Sequence, residues 1–231
     1  MSDQKLQAAL AAFQDGQKNL SSSEEDARAL ELSRLFKPIA QLLLYGGCFE
    51  VYSGEKLVRK VYPHTIEFYY HEEEDSGLKD YIVYHRNKVS IKNGKETHMI
   101  PSFFKVGTIN AHQSGIDITF ESEERQYRAS ALIRAFRYEK DGEEIVDDRS
   151  TYLYDQLFTG LEMPITVQWK SKASYPDTEP KQGYRVNVFK YEPALEKDKK
   201  PIPLKEQDKR PWAFSVKEFK EKLRYIPEPE K

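Results

Sequence analysis

The chain has 231 residues, 32% of them charged and 39% hydrophobic, with a formal net charge of −2. That length can bury a core without disulfides or metal, and 15 Tyr and 12 Phe supply aromatic mass for it, which excludes a disordered chain. The lone cysteine, Cys48, excludes an internal disulfide framework and favours a reducing setting, and the near-neutral charge leaves any polyanionic partner to a local basic face.

The first residues show no basic segment followed by an apolar one, so no leader peptide is expected. The longest apolar run, 39–49, is interrupted by Gln41, Gly46 and Gly47 and is too short to span a bilayer. The expectation is a cytoplasmic monomer with no membrane partner.

Leu6, Ala9, Leu10 and Phe13 recur at helical spacing and predict a short helix over 5–13, ended by Asp15-Gly16. Ser22 and Glu25 read as a capping box opening a second helix, which Pro38 ends. Residues 38–45 read as a third, buried helix stopped by Gly46-Gly47. Residues 1–37 are therefore taken as an N-terminal helical extension, 38–216 as the main domain and 217–231 as a charged tail.

Strands follow at 49–52 and 56–62 around Ser53-Gly54, then at 65–71, 81–85, and 89–92 with 95–100 around Asn93-Gly94. Further strands are expected at 107–111 and 116–120 around Gln113-Ser114-Gly115, and at 129–138 before Asp141-Gly142. A short helix is expected over 151–158, strands over 165–170 and 184–191, an exposed loop over 192–208, and a last strand through Trp212, Phe214 and Val216. The fold class is α+β: a single domain with a curved, mostly antiparallel β-sheet and helices concentrated at the N-terminus.

The stretch 65–71 alternates so that Glu67, Tyr69 and His71 share one face and Ile66, Phe68 and Tyr70 the other. A carboxylate in line with a phenol and an imidazole can form a buried acid–base site. The same alternation also describes a strand whose polar face meets solvent.

Several pieces, taken in order, resemble the alkyladenine (3-methyladenine) DNA glycosylase family. The segment Ala40-Gln41-Leu42-Leu43-Leu44-Tyr45-Gly46 is similar to the family's Ala-x-x-Leu-Leu-Gly element, with one extra residue. Glu67-Phe68-Tyr69 keeps the spacing of its Glu-Ala-Tyr, Arg86-Asn87 matches an Arg-Asn pair, and Gly107-Thr108 opens a hairpin like its Gly-Thr-x-Tyr-x-Tyr. Leu132-Ile133-Arg134-Ala135 matches its Leu-Ile-Arg-Ala strand. Arg185-Val186-Asn187-Val188 and Pro211-Trp212-Ala213-Phe214 echo two later patterns, and the likeness spans 40–216.

The resemblance implies an enzyme that binds double-stranded DNA, everts a modified nucleotide and hydrolyses its N-glycosidic bond. By that likeness Glu67 activates water and opposes positive charge growing on the sugar, and Arg134 sits beside it. Tyr69 and His112 take the positions whose rings sandwich the everted base. Gln113 and Ser114 stand where the family puts a minor-groove plug, but without its aromatic ring. Arg86, Asn87 and Arg185 are expected on the DNA side. The family's selective Asn has no counterpart, leaving Asp117 or Glu121, and His71 or His85 stands in for a family histidine unmatched in spacing. These departures touch base selection and suggest the same chemistry on a different base; the substrate is expected to be either an alkylated purine, as in the family at large, or a bulky hydroxymethylated or glucosylated pyrimidine of phage DNA.

No lysine is marked as a Schiff-base nucleophile and no Cys/His spacing suggests zinc, so neither a lyase step nor a metal or other cofactor is expected. The 88–105 insert, with Lys88, Lys92, Lys95 and Lys105, reads either as a basic flap or as an ordinary surface hairpin. Two alternatives stay open: a non-catalytic nucleic-acid-binding or interaction protein, and a metal-dependent nuclease using His112, Asp117, Glu121 and Asp147 or Asp148.

Overall fold

A computed structural model describes residues 3–22, 24–92, 95–112, 114–140, 142–192 and 202–216. Its spine is one antiparallel ladder between β2 (Lys56–Glu72) and β7 (Tyr127–Lys140), in register from Val61↔Tyr138 to Glu72↔Tyr127. Both strands are long enough to hold different partners at their two ends. At one end β2 pairs with β1 (Gly47–Ser53), which pairs with β9 (Ile165–Ser171), while β7 pairs with β8 (Glu143–Asp147). At the other end β2 pairs with β13 (Ala213–Ser215) and through it β10 (Lys181–Gly183), while β7 pairs with β6 (Gly115–Thr119) and then β5 (Ile109–His112). The expected α+β fold, a curved and mostly antiparallel sheet with helices gathered at the N-terminus, is what the structure has.

Two helices cover one face of this sheet. Helix α1 (Gln4–Gln17) buries Leu6, Leu10 and Phe13, and α2 (Glu25–Tyr45) buries Leu32, Phe36, Ile39 and Leu43. The Phe36 ring lies between Phe13 (5.3 Å) and Phe68 (4.4 Å), parallel to both within 7°, so the helices dock on the Ile66–Phe68–Tyr70 face. Residues 1–37, expected as an extension, thus contribute to the core, and the 37/38 boundary falls inside α2. Pro38 does not end the helix: the lost N–H and ring clash are outweighed where Phe36, Ile39 and Ala40 are all fully buried on either side. The capping box does not form either, since α2 starts after Glu24 with no side-chain cap.

Several strand assignments change: 56–62 and 65–71 are one strand, β2, and β10 forms where no strand was expected. Residues 81–85 make turns rather than a strand, β11 (Phe189–Glu192) pairs with β12 (Ile202–Gln207) where an exposed loop was expected, and 184–188 crosses the sheet as an irregular segment. A short helix, α3 (Tyr152–Phe158), follows β8 as expected, and β3 (Lys88–Lys92) pairs with β4 (Lys95–Met99). The turn at Asn93-Gly94 and the tail 217–231 lie outside the described residues.

Candidate active site

The sheet face opposite the helices carries charge. Because residues paired across neighbouring strands share a face, the pairings Asp117↔Leu132, Leu132↔Glu67 and Glu67↔Ala213 set the two carboxylates in one row across β6, β7, β2 and β13. Glu67 is 1% exposed. Its Oε1 accepts the Val186 N–H at 2.7 Å, from the crossing segment 184–188, and its Oε2 accepts the Tyr69 hydroxyl at 2.8 Å. Burial, reinforced by the Glu67 carboxylate and opposed by Arg185, raises the Tyr69 phenol well above its usual pKa, so it stays a donor.

Arg134 reaches this carboxylate because the ladder is irregular beside it. The register shifts between Pro63 and Thr65 and again between Thr65 and Ile66, leaving His64 on β2 and Arg134 on β7 without opposed partners. Two such bulges cancel in register while re-aiming the side chains between them. Arg134 Nε stands 3.8 Å from Glu67 Oε1, an ion pair longer than a hydrogen bond. Arg134 Nη1 donates to Ser150 Oγ at 3.2 Å, and Ser150 Oγ donates to the Ser114 carbonyl at 2.8 Å. Glu67 is thereby connected through Arg134 and Ser150 to the tip of the β5–β6 hairpin. Gly115 lets that tip close in: with φ at +140°, a Cβ there would stand 2.9 Å from Leu132 Cδ1 and 3.1 Å from Ser150 Cβ. Ser150 was missed in the sequence, where nothing sets it apart from other small polar residues near a strand end.

Arg185, expected to face DNA, is wholly buried. Its Nη1 donates to Asp80 Oδ2 at 2.6 Å and to the Phe68 carbonyl, its Nη2 to Asp208 Oδ2 at 2.7 Å, and its guanidinium lies 4.8 Å from the Tyr69 ring and 5.1 Å from Trp212. Burial, which opposes its charge, is outweighed by the Asp80 and Asp208 carboxylates paired with it, so its pKa is raised. Asp208 in turn would be raised by burial but is held at about 2 by Arg185 and Arg210. This cluster fixes 184–188, and with it the Val186 N–H, over Glu67.

The other expected residues divide. His112 and Asp117 come together, Nε2 standing 3.1 Å from Oδ2 but off the line of a hydrogen bond, and the Ser114 N–H donates to His112 Nδ1. Asp117 Oδ1 is buried with no hydrogen-bond partner. His112 is not an open wall: the Tyr84 ring stacks on it at 4.7 Å and 16°. His71 turns away from Glu67 toward the 72–80 loop, where its Nδ1 accepts the Asp80 N–H at 3.1 Å, and burial, aided by Lys79, lowers its pKa to about 3. Arg86 donates to the Tyr81 and Asn87 carbonyls, and Asn87 Oδ1 accepts from the buried Arg128, so this pair braces the loop. Ser114 is exposed at the hairpin tip, and Gln113 lies outside the described residues.

A second buried ionic cluster lies further along β7. Arg128, fully buried, pairs with Glu73 and Glu121 and takes the Pro101 and Ser102 carbonyls, with Phe103 3.5 Å from its guanidinium carbon. His85 Nδ1 stands 2.8 Å from Glu121 Oε1. The C-terminal part of the 88–105 insert is thus anchored to the sheet. The residues weighed for a nuclease are spread over separate pairs, with Asp147 held by Arg149, and among the described residues no cluster of three or more His, Cys, Asp or Glu is placed to hold a metal ion. Among the same residues no helix is long and apolar enough to cross a membrane.

Comparison with protein-family models, with curated proteins and with solved structures found no match.

Proposed function

We propose that the protein is a monofunctional DNA glycosylase, acting as a cytoplasmic monomer on double-stranded DNA that contains a modified base. The observation that supports it most is the placement of Glu67, a carboxylate 1% exposed, 3.8 Å from the Arg134 guanidinium and beneath the half-buried Tyr69. A carboxylate has about four lone-pair positions, and Val186 and Tyr69 take one each, which leaves sites for a water. Out of bulk water its charge acts strongly on a cation forming at the sugar carbon. Glu67 takes a proton from the attacking water as its oxygen bonds to the sugar carbon, the glycosidic electron pair leaves with the base, and the base, protonated from solvent where it leaves as an anion, is released together with an abasic site. Arg134, tethered by Ser150, orients the carboxylate.

The substrate in this reading is an alkylated purine, as in repair, or a hydroxymethylated or glucosylated pyrimidine, as in defence against phage. Asp117 favours the second, since its unpartnered Oδ1 can accept from the hydroxyl group that such a pyrimidine carries and an alkylated purine lacks. The test incubates duplex oligonucleotides carrying each class of base with the protein in EDTA, then treats them with hot alkali. Strand breaks on one class, reduced about 10²–10⁴-fold by Glu67→Gln, are expected. No alkali-labile product on any class, or unchanged cleavage by the variant, refutes the reading.

One observation favours a second reading. With both oxygens hydrogen-bonded and almost no exposure, Glu67 also has the surroundings of a structural carboxylate in a non-catalytic nucleic-acid-binding protein. In that case Glu67→Gln lowers the melting temperature and leaves DNA affinity unchanged.

A further inference from the structure

We infer that Tyr84, with Lys88 beside it, is a nucleobase-stacking platform at the rim of the site, supplying the aromatic contact to DNA that the β5–β6 tip lacks. The inference rests on the reading of Glu67 as the centre of a base-excising site.

Tyr84 is 44% exposed although its neighbours in the turn are not: Val83 is 2% and His85 5% exposed. Burying the flanking side chains pins the turn to the sheet and turns the Tyr84 ring outward. One ring face covers His112, whose side chain is only 6% exposed, so a base arriving from solvent meets the tyrosine first. The layer is continuous with the hairpin tip, because the Ser114 N–H holds His112 Nδ1. Lys88 Nζ lies 5.0 Å from the Tyr84 ring centroid and donates to the Tyr84 carbonyl at 2.8 Å. With His112 on one face and the Lys88 ammonium over the ring, an arriving base stacks on Tyr84 as Lys88 turns from the ring to the phosphate of that base. The nucleobase comes either from the everted nucleotide or from a base left in the strand next to the gap.

The test measures binding of a fluorescein-labelled duplex carrying one unpaired central base, and of the same duplex with a tetrahydrofuran abasic analogue in its place. Relative to wild type, Tyr84→Leu, which keeps an apolar cover on His112 without a π-face, is expected to weaken binding about tenfold, while Tyr84→Phe stays within about twofold. Lys88→Ala lowers affinity on all duplexes alike and reduces the slope of log affinity against log salt by about one. Duplexes with 2-aminopurine at an unpaired central position or beside the analogue separate the two sources: Tyr84-dependent quenching at the centre assigns the everted base, and quenching only beside the gap assigns a base left in the strand. Binding by Tyr84→Leu equal to wild type on both duplexes, with matching thermal melts, overturns the platform and leaves excision by Glu67 standing. Failure of the wild type to bind any of these duplexes overturns it together with the reading beneath it.

Discussion

At the scale of single residues, Arg185 and Ser150 carry opposite lessons about polar side chains in a protein interior. Arg185 is enclosed, with two carboxylates and a carbonyl around it, and removing it leaves Asp80 and Asp208 out of water with Arg210 as their remaining ion-pair partner. Breaking a buried pair by deleting one partner costs about 3–5 kcal/mol, so Arg185→Met is expected to lower urea stability by that order and loosen the cover over Glu67. Ser150 is the contrasting case, a side chain whose hydroxyl touches Arg134 and the hairpin tip but supports little of the core. Ser150→Ala is expected to reduce turnover about tenfold with melting temperature and DNA affinity nearly unchanged, and Ser150→Thr to restore it. Equal turnover in Ser150→Ala would show that Arg134 holds its position unaided.

At the scale of elements, the alternation in 65–71 was readable because a half-buried strand must put its apolar residues on one side. It separated Ile66, Phe68 and Tyr70, now under the helices, from Glu67 and Tyr69 on the charged face. What could not be read was the depth of that charged face. Glu67 is buried by a segment 119 residues away in sequence, and its cover is held by Asp80 and Asp208, neither of which has a local pattern to announce it. Proline is similarly deceptive: Pro38 carries a strong local stop signal, overridden by the apolar stripe that continues past it in α2. Helix α1 was expected as part of an N-terminal extension ahead of Pro38, yet Phe13 closes an aromatic cluster with Phe36 and Phe120. Phe13→Ala is accordingly expected to cost about 3–5 kcal/mol by chemical denaturation, a loss that a dispensable extension would not show.

At the scale of the whole molecule, several buried groups give stability one direction with pH. Burial lowers the pKa of His71 to about 3, and burial together with Arg137 lowers that of His64 to about 4, so below about 6.5 the unfolded chain takes up protons that the native state refuses. Asp208, held at about 2 in the folded protein, adds a contribution lost as pH falls from 3.8 toward 2. All three destabilise on acidification. The expected outcome is a urea midpoint that declines from pH 7 to pH 4 by an amount equivalent to a few kcal/mol, with a shallower slope in His71→Asn. A flat profile across that range would mean that these imidazoles accept protons without unfolding.

The central strand also dictates when the protein can finish folding during synthesis. β2 is completed by residue 72, but its edge beside Ile66 stays open until β13, residues 213–215, pairs with it. The Trp212 indole then donates to the Ala29 carbonyl, joining the far end of the chain to α2. A nascent chain therefore carries an aromatic-rich strand with one edge open at Thr65–Glu67 until β13 has been made, the kind of intermediate that chaperones shield and that aggregates when they are scarce. Ribosome-stalled chains ending near residue 205 should accordingly be protease-sensitive throughout, with resistance arriving in one step once Trp212 and Phe214 have emerged.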